Sequence, residues 1–237
     1  MRDTPGLLDV HSHFVYGVDD GAKTQQDMFD MLDMAHNNGI TRLYATSHST
    51  PGIEHFPEEL YQQHLHEARD YCRAHGYDME LYSGTEILYT PAMGNYLERK
   101  GLRTLGNSNF VLLEFVPNIT AREMDEALSL VEEAGYRVIL AHIERYAAIY
   151  GRKAYHLKQD HPVLYQVNAG TLLHRLGFFK DRTVKGWFRH ELIDLVASDM
   201  HDCEHRRNRM EKASRLLEKE YGPEYAAALT RGSLEEL

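Results

Sequence analysis

Short apolar runs recur along the chain, and most are followed by a longer segment in which apolar residues are spaced three and four apart. The short runs are typical of buried strands, whereas the wider spacing is typical of amphipathic helices. Seven runs predict strands, at or beginning near residues 6–8, 40–46, 79–82, 110–113, 137–141, 163–167 and 192–197.

The first helix illustrates the pattern between the strands. Met28, Met31 and Ala35 form one apolar stripe, Thr24 is a preferred N-cap residue, and Gly39 suits a helix end. Further helices are predicted at 57–75, 91–99, 121–134, 171–190, 205–220 and 224–230, with another helical segment before residue 163.

Strands that alternate with helices predict a parallel sheet with helical crossovers. The length of 237 residues suits a single α/β barrel, and no linker or repeat divides the chain, so we expect one domain over 1–237. The alternation alone leaves open a doubly wound open sheet or a closed barrel.

Side chains that can bind metals follow almost every predicted strand. In parallel α/β folds the carboxyl ends of the strands share one face, so these side chains are expected to converge. Imidazoles and carboxylates brought together in this way need positive charge among them, which divalent ions supply. Alternatively, each residue caps its own strand. The series is His11, His13, His48, Glu86, Glu114, His142, Asp199 and His201.

The chain has 15 histidines, and those outside this series are interpreted as surface or half-buried helical residues. His55, in the loop after His48, is left open between the two interpretations. The remaining histidines in the structural group are His36, His64, His66, His75, His156, His161, His174, His190 and His205.

Charge and composition exclude several classes of protein. A formal net charge of −10 argues against a nucleic-acid partner, which requires a basic face. No apolar stretch approaches the length needed to cross a bilayer, so no membrane insertion is expected. The N-terminus has no apolar signal region, and the two cysteines do not form a disulfide framework, so a cytoplasmic location is expected.

The order D-x-H-x-H…D-D-G-A, A-T-x-H, G-x-E, strand-E, H-x-E-R and S-D-x-H, from Asp9 to Arg206, resembles the polymerase and histidinol phosphatase (PHP) superfamily. More narrowly it resembles the bacterial capsule-type tyrosine-protein phosphatases of that superfamily. The resemblance implies a distorted seven-stranded (β/α) TIM-like barrel, in agreement with the strand count. Ser47 and Ile143 stand where the family usually carries proline, and residues 230–237 lack its Asn-Pro signature.

The resemblance also implies a site with three divalent ions, for which manganese is favoured and iron or zinc also suit the ligands. Arg145 and Arg206 would bind the phosphate. The implied ligand sets are His11, His13, Glu86 and Asp199 for the first ion, Glu86, Glu114 and His142 for the second, and Asp20, His48 and His201 for the third.

The function implied is hydrolysis of phosphotyrosine by in-line attack of a metal-bridging hydroxide. Metal ions lower the pKa of bound water from 15.7 to roughly 7, and guanidinium groups brace phosphoryl oxygens. The implied partner is the tail of a bacterial tyrosine kinase that controls capsule or exopolysaccharide synthesis.

Three other interpretations compete. The same metal site would serve a small phosphomonoester such as histidinol phosphate, or a non-catalytic metal-binding module. Cys203 and Arg209 have the C-x5-R spacing of cysteine-dependent tyrosine phosphatases. That mechanism needs a glycine-rich loop around the phosphate, whereas residues 204–208 contain no glycine and place Glu204 beside the thiol, so the spacing is interpreted as coincidence.

Overall fold

A computed structural model describes residues 5–98, 101–174 and 176–234. Within these ranges, strands β1–β9 span Leu7–Ser12, Ile40–Ala45, His48–Ser49, Glu80–Ser83, Glu86–Leu88, Phe110–Glu114, Arg137–Leu140, Leu164–Asn168 and Leu195–Ala197. Helices α1–α9 span Gln25–Asn37, Glu58–Ala74, Met93–Leu97, Ala121–Glu133, Lys153–Asp160, Ala169–Leu173, Phe178–Arg189, Met210–Tyr221 and Pro223–Arg231. Two 3-10 turns, Ile143–Arg145 and Ala147–Ile149, follow β7.

The strands form two sheets, ordered β1-β2-β4 and β3-β5-β6-β7-β8-β9, and every strand pair is parallel. The predicted parallel α/β fold is therefore confirmed. Beyond the named strands, the two sheets also approach at one edge. There the His13 amide donates to the Met200 carbonyl at 2.9 Å, and the Asp199 amide donates to the His11 carbonyl at 2.9 Å.

The closed seven-stranded barrel is not confirmed, because the two sheets do not close. β2 and β4 are each followed by a second short strand, β3 and β5, after a break. The breaks are at Thr46-Ser47 and at Gly84-Thr85. At these breaks the Glu86 amide donates to the carbonyls of Thr46 and Ser47 at 3.1 and 3.2 Å, so pairing passes from one sheet to the other.

Both faces of the central strands are buried. Phe110 and Leu112 belong to one apolar cluster, whereas Val111 and Leu113 belong to the larger cluster that includes the helices. This alternation between two buried faces is expected for parallel strands covered on both sides. The second cluster also contains Ile139, so neighbouring strands contribute to one layer.

Most helices lie within a few residues of their predicted positions, and Thr24 caps α1 through a reciprocal pair of bonds with Asp27. The exception is α8, which begins at Met210 instead of residue 205. Asp202 accepts bonds from the backbone amides of Glu204 and Arg206 and thereby stabilises a non-helical loop. The last residue of the helix predicted over 91–99 lies outside the described residues.

Within the described ranges, no helix combines the length and the apolar character required to cross a bilayer.

Two histidines interpreted as surface or half-buried residues are more buried than that. His64 and His161 are each 5% exposed. The Nδ1 atom of His64 bonds the Tyr16 carbonyl at 2.8 Å, and His161 lies between two carboxylates of α4. These partners satisfy hydrogen-bonding groups of both buried imidazoles. His55, by contrast, is exposed.

We predict that His161 stabilises the fold in a pH-dependent way. Its Nδ1 and Nε2 atoms lie 3.0 Å from Glu132 and 3.0 Å from Asp125. Burial lowers the pKa of His161, but the two carboxylates raise it by more, so the pKa lies above its ordinary value. The stabilisation is therefore complete below the unfolded-state pKa of about 6.5 and is lost as pH rises through the folded-state pKa.

Accordingly, His161→Gln should lower the free energy of unfolding by about 1 kcal/mol more at pH 6 than at pH 9. Urea denaturation at the two pH values measures this difference. His156→Gln, at an exposed position on α5, is the matched control and should show no such pH dependence. An equal loss at both pH values for His161→Gln would contradict the charged role of the imidazole.

Candidate metal centre

All nine side chains predicted as ligands converge at the carboxyl ends of the strands. Eight of them form three overlapping groups, and within each group one donor atom per residue lies within 4.8 Å of the others. The groups are His11, His13, Glu86 and Asp199; His13, Asp20, His48 and His201; and His48, Glu86 and Glu114. His142, predicted with the second ion, has Nε2 2.7 Å from Glu86 and 3.3 Å from Glu114. The assignment of each ligand to an ion stays a prediction.

Glu86 lies at the centre of these groups and is 1% exposed. Its Oε2 atom is 3.1 Å from His11, 3.2 Å from His13 and 3.2 Å from His48. Burial raises the pKa of Glu86, yet the surrounding imidazoles hold it well below its ordinary value. The carboxylate is therefore ionised and needs positive charge around it.

His11 and His13 each have one ring nitrogen bound away from the cluster. The Nδ1 atom of His11 faces the Gln166 amide oxygen at 3.2 Å, and Nδ1 of His13 faces Asp19 at 2.8 Å. These acceptors place a proton on each Nδ1, so both Nε2 atoms point into the cluster, 3.2 Å apart. Two nitrogen lone pairs at this distance repel unless a proton or a metal ion lies between them.

The pKa values show the same demand for positive charge. Burial lowers the pKa of His13, but its bonds with Asp19 and Glu86 raise it to about 10. Burial likewise lowers the pKa of His142, but its bonds with Glu114 and Glu86 raise it to about 9. A bound divalent ion would supply this charge in place of the protons.

His201 provides a direct test of whether the residues fit a metal. Its Nδ1 atom donates to the Asp199 carbonyl at 3.1 Å, which leaves a lone pair on Nε2. That Nε2 atom is buried without a hydrogen-bond partner among the described residues, 3.3 Å from an oxygen of Asp20. Burial and nearby cations lower the pKa of His201 to about 3, so the imidazole stays neutral, as a metal ligand must be.

Arg145 and Arg206 both bind the carboxylate of Asp199. Arg145 Nη2 lies 2.6 Å from Oδ2, and Arg206 Nη2 lies 2.8 Å from Oδ1. Burial raises the pKa of Asp199, but His11 and its other cationic neighbours hold it below the ordinary value. The two arginine side chains are 38% and 40% exposed, so they line the open side of the cluster.

Unusual backbone geometry positions several ligands. His142 and Asp199 have φ angles of 34° and 52°, in the left-handed region that L-residues rarely adopt. Each such residue costs about 1–3 kcal/mol and is typically found at functional sites. Gly21 in the D-D-G-A segment passes so close to His13 that a Cβ atom there would lie 2.0 Å from the His13 carbonyl oxygen.

Sequence reasoning missed the residues that orient the ligands. Gln166 accepts from the His142 amide and donates to Asn168, which in turn donates to Asp199 at 2.7 Å. Asp9 accepts from the Ser198 amide at 2.9 Å and so fixes the loop after β9. The available signal was polar residues two apart within an otherwise apolar strand, since Gln166 and Asn168 share one face of β8.

Cys203 is unsuited to nucleophilic attack, as its sequence context predicted. Burial and the carboxylates of Asp30 and Asp202 raise the pKa of its thiol to about 11. A catalytic cysteine requires the opposite shift, because the thiolate is the nucleophile.

Two curated relatives cover nearly the whole chain. The tyrosine-protein phosphatase CpsB of Streptococcus pneumoniae is 29% identical over 229 residues, 94% of each protein. The tyrosine-protein phosphatase YwqE of Bacillus subtilis (strain 168) is 26% identical over 233 residues, 96% of this chain and 90% of that protein.

Solved structures agree with these relatives. One described as YwqE from Bacillus subtilis and CpsB from Streptococcus pneumoniae, "unique metal-dependent tyrosine phosphatases", matches with a TM-score of 0.82 and 25% identity. The match covers 92% of this chain and 89% of that one. A variant organophosphorus hydrolase from Deinococcus radiodurans, at 11% identity and a TM-score of 0.56, is similar in fold alone.

The family model for capsular polysaccharide synthesis, CpsB/CapC, matches residues 7–236, which include every residue of the cluster described above. Because this model spans nearly the whole chain, the chain belongs to the CpsB/CapC family.

Proposed function

We propose that this chain is a metal-dependent protein-tyrosine phosphatase, a phosphoric monoester hydrolase that acts through one domain over 1–237 in the cytoplasm. The observation that carries the proposal is the position of Arg145 and Arg206 on Asp199, beside three overlapping groups of metal-binding side chains. Relatives named tyrosine-protein phosphatases and a metal-dependent structural neighbour support it.

We assign three divalent ions to the cluster, with manganese as the preferred ion and iron or zinc as alternatives. Bound ions would activate water as a nucleophile and neutralise phosphoryl oxygens. The proposed ligand sets are His11, His13, Glu86 and Asp199; Glu86, Glu114 and His142; and Asp20, His48 and His201.

Arg145 and Arg206 would hold the phosphoryl group of the substrate. A guanidinium has five N–H donors, and each arginine uses one nitrogen on Asp199 at less than 3 Å. Both can therefore donate to phosphoryl oxygens while they remain bonded to Asp199. A tyrosine leaving group, with a pKa of about 10, needs less protonation than an alkyl alcohol.

The proposed substrate is a phosphotyrosine protein, namely the tail of a bacterial tyrosine kinase in capsule or exopolysaccharide synthesis. The description of the family as one of capsular polysaccharide synthesis supports this context. The basic residues beside the cluster also favour it over histidinol phosphate. The ammonium and imidazole groups of that compound would meet four arginines and two histidines that line the adjoining cavity.

Phosphatase activity should depend on bound metal and should favour phosphotyrosine. Protein stripped of metal by a chelator should release no phosphate from a phosphotyrosine peptide, and manganese should restore the release. Malachite-green assays on the peptide, on an aryl phosphate and on histidinol phosphate measure this. Preference for histidinol phosphate would contradict the proposed substrate and indicate a small-molecule phosphatase. Metal binding without turnover of any compound would contradict the enzyme function and indicate a metal-binding module.

Arg145 should contribute to the chemical step. Removal of a preorganised donor to a transition-state oxygen reduces kcat by about 10²–10³-fold, and we expect a loss of this size for Arg145→Ala. Arg145→Lys should not restore full activity, because an ammonium cannot bind bidentately. Metal content by mass spectrometry should stay unchanged. Arg122→Ala, 87% exposed on α4, is the matched control. Wild-type kcat/KM in Arg145→Ala would refute the role.

A Cys203 variant separates metal-dependent from cysteine-dependent chemistry. Cys203→Ser should keep its activity within about twofold, because the raised pKa leaves little thiolate at neutral pH. Steady-state kinetics of the manganese-loaded variant measure this. Complete loss of activity with fold and metal content preserved would overturn the assignment.

A further inference from the structure

A cavity of about 280 Å³ adjoins the metal centre on the side of Asp199. Among the described residues of its wall, Asp199 is the one carboxylate, although the chain as a whole carries a formal net charge of −10. Positive charge is therefore concentrated at this wall. The basic residues that line it are Arg145, His174, His205, Arg206, Arg207 and Arg209.

Two of these arginines are already committed to the metal centre. Arg145 and Arg206 bond the two oxygens of Asp199 and are assigned above to the reacting phosphoryl group. Arg209 differs from them. Across residues 5–98, 101–174 and 176–234, no carboxylate lies within 4.0 Å of its guanidinium, so its donors are available for an external anion.

Arg209 is held in place by its neighbours. It directly precedes α8 and follows Asn208, whose buried side-chain amide donates to Asp9 at 3.0 Å. Its Cδ atom lies 3.9 Å from the Cβ position that a side chain at Gly170 would occupy. This is an ordinary van der Waals distance, so Arg209 lies against the backbone of Gly170 at the cavity wall, where the arginine is half-buried.

The cavity continues into a second groove. Thr171, His174 and Leu176 line both the cavity and a groove of about 770 Å³ beside α7 and α8. A peptide that has its phosphotyrosine at the metal centre and runs along the cavity wall toward this groove would pass Arg209. The residues next to the phosphotyrosine are the ones that would reach this arginine.

We propose that Arg209 forms a second anion subsite, which binds a carboxylate or phosphate that the substrate peptide carries next to its phosphotyrosine; the inference rests on the phosphatase function proposed above. The chemistry is charge-assisted hydrogen bonding between a guanidinium and an oxyanion. The subsite makes the enzyme selective for acidic or multiply phosphorylated segments. It also gives a role to the arginine of the C-x5-R spacing that involves no cysteine.

Binding to the manganese-loaded full chain tests the subsite. Three fluorescent peptides of equal length carry a non-hydrolysable phosphonate analogue of phosphotyrosine, flanked by alanines, by aspartates, or by alanines and a second phosphonate. Fluorescence anisotropy at low salt should give a Kd about tenfold lower for an acidic peptide than for the alanine peptide. The aspartate and phosphonate peptides distinguish the two sources of the anion.

Arg209→Gln should abolish this tenfold preference, and Arg209→Lys should retain most of it because the charge remains. Arg215→Gln removes the same charge from an exposed position on α8, where Arg215 is 74% exposed, and should leave the preference unchanged. Thermal melts establish that each variant is folded.

Equal affinity of the wild-type protein for all three peptides would overturn the subsite, as would an equal effect of Arg209→Gln and Arg215→Gln. Failure of the phosphatase function gives a different result. In that case the metal-loaded wild-type protein releases no phosphate from an aryl phosphate, whereas an acidic-peptide preference that depends on Arg209 would still establish the subsite.

Discussion

The structure of the site depends on one buried carboxylate, that of Glu86. Taking an ionised carboxylate out of water costs several kcal/mol unless partners restore what hydration provided. Here the partners are imidazoles: His142 contacts one oxygen, and His11, His13 and His48 contact the other. Because these histidines come from the ends of three strands, the ionised Glu86 couples distant elements and creates a place where cations are favoured.

The two strand breaks position this same carboxylate. β3 and β5 are separate short strands because Thr46-Ser47 and Gly84-Thr85 lie outside the strand ladders. In their parallel pairing, His48 lies directly opposite Glu86. Regular continuation of β2 and β4 would have left both residues in the register of the first sheet. The two strand breaks and the pairing of His48 with Glu86 are thus one feature of the chain.

The strands and the convergence of the ligands could be predicted from the sequence, whereas the strand breaks and the start of α8 could not. Apolar runs fixed by burial mark the strands, and the rule that parallel strand ends share a face brings together residues as distant as His11 and His201. The breaks at β2 and β4 leave no such signature, since they depend on backbone bonds between segments that meet only in the fold. The late start of α8 likewise depends on Asp202, whose side chain accepts three backbone amides of its loop.

Residues that orient ligands are harder to predict than the ligands themselves. Gln166 is an uncharged residue inside a strand, and nothing local shows that its amide oxygen accepts from both His11 and His142. Its amide nitrogen then reaches Asn168, which holds Asp199. This chain of bonds fixes imidazole tautomers at one end and a carboxylate at the other, so its members act together.

Asp199 connects the two halves of the proposed chemistry. Its left-handed backbone is held by the bond from its amide to the His11 carbonyl, and its carboxylate receives Arg145 and Arg206 from separate loops. The same carboxylate faces His11 and His13 at 3.4 and 3.6 Å. One side chain is therefore shared by the proposed metal site and the proposed phosphate site. Its negative charge keeps two guanidinium groups beside the cluster. Without them, an approaching phosphate would be repelled by the carboxylates of Glu114 and Glu86.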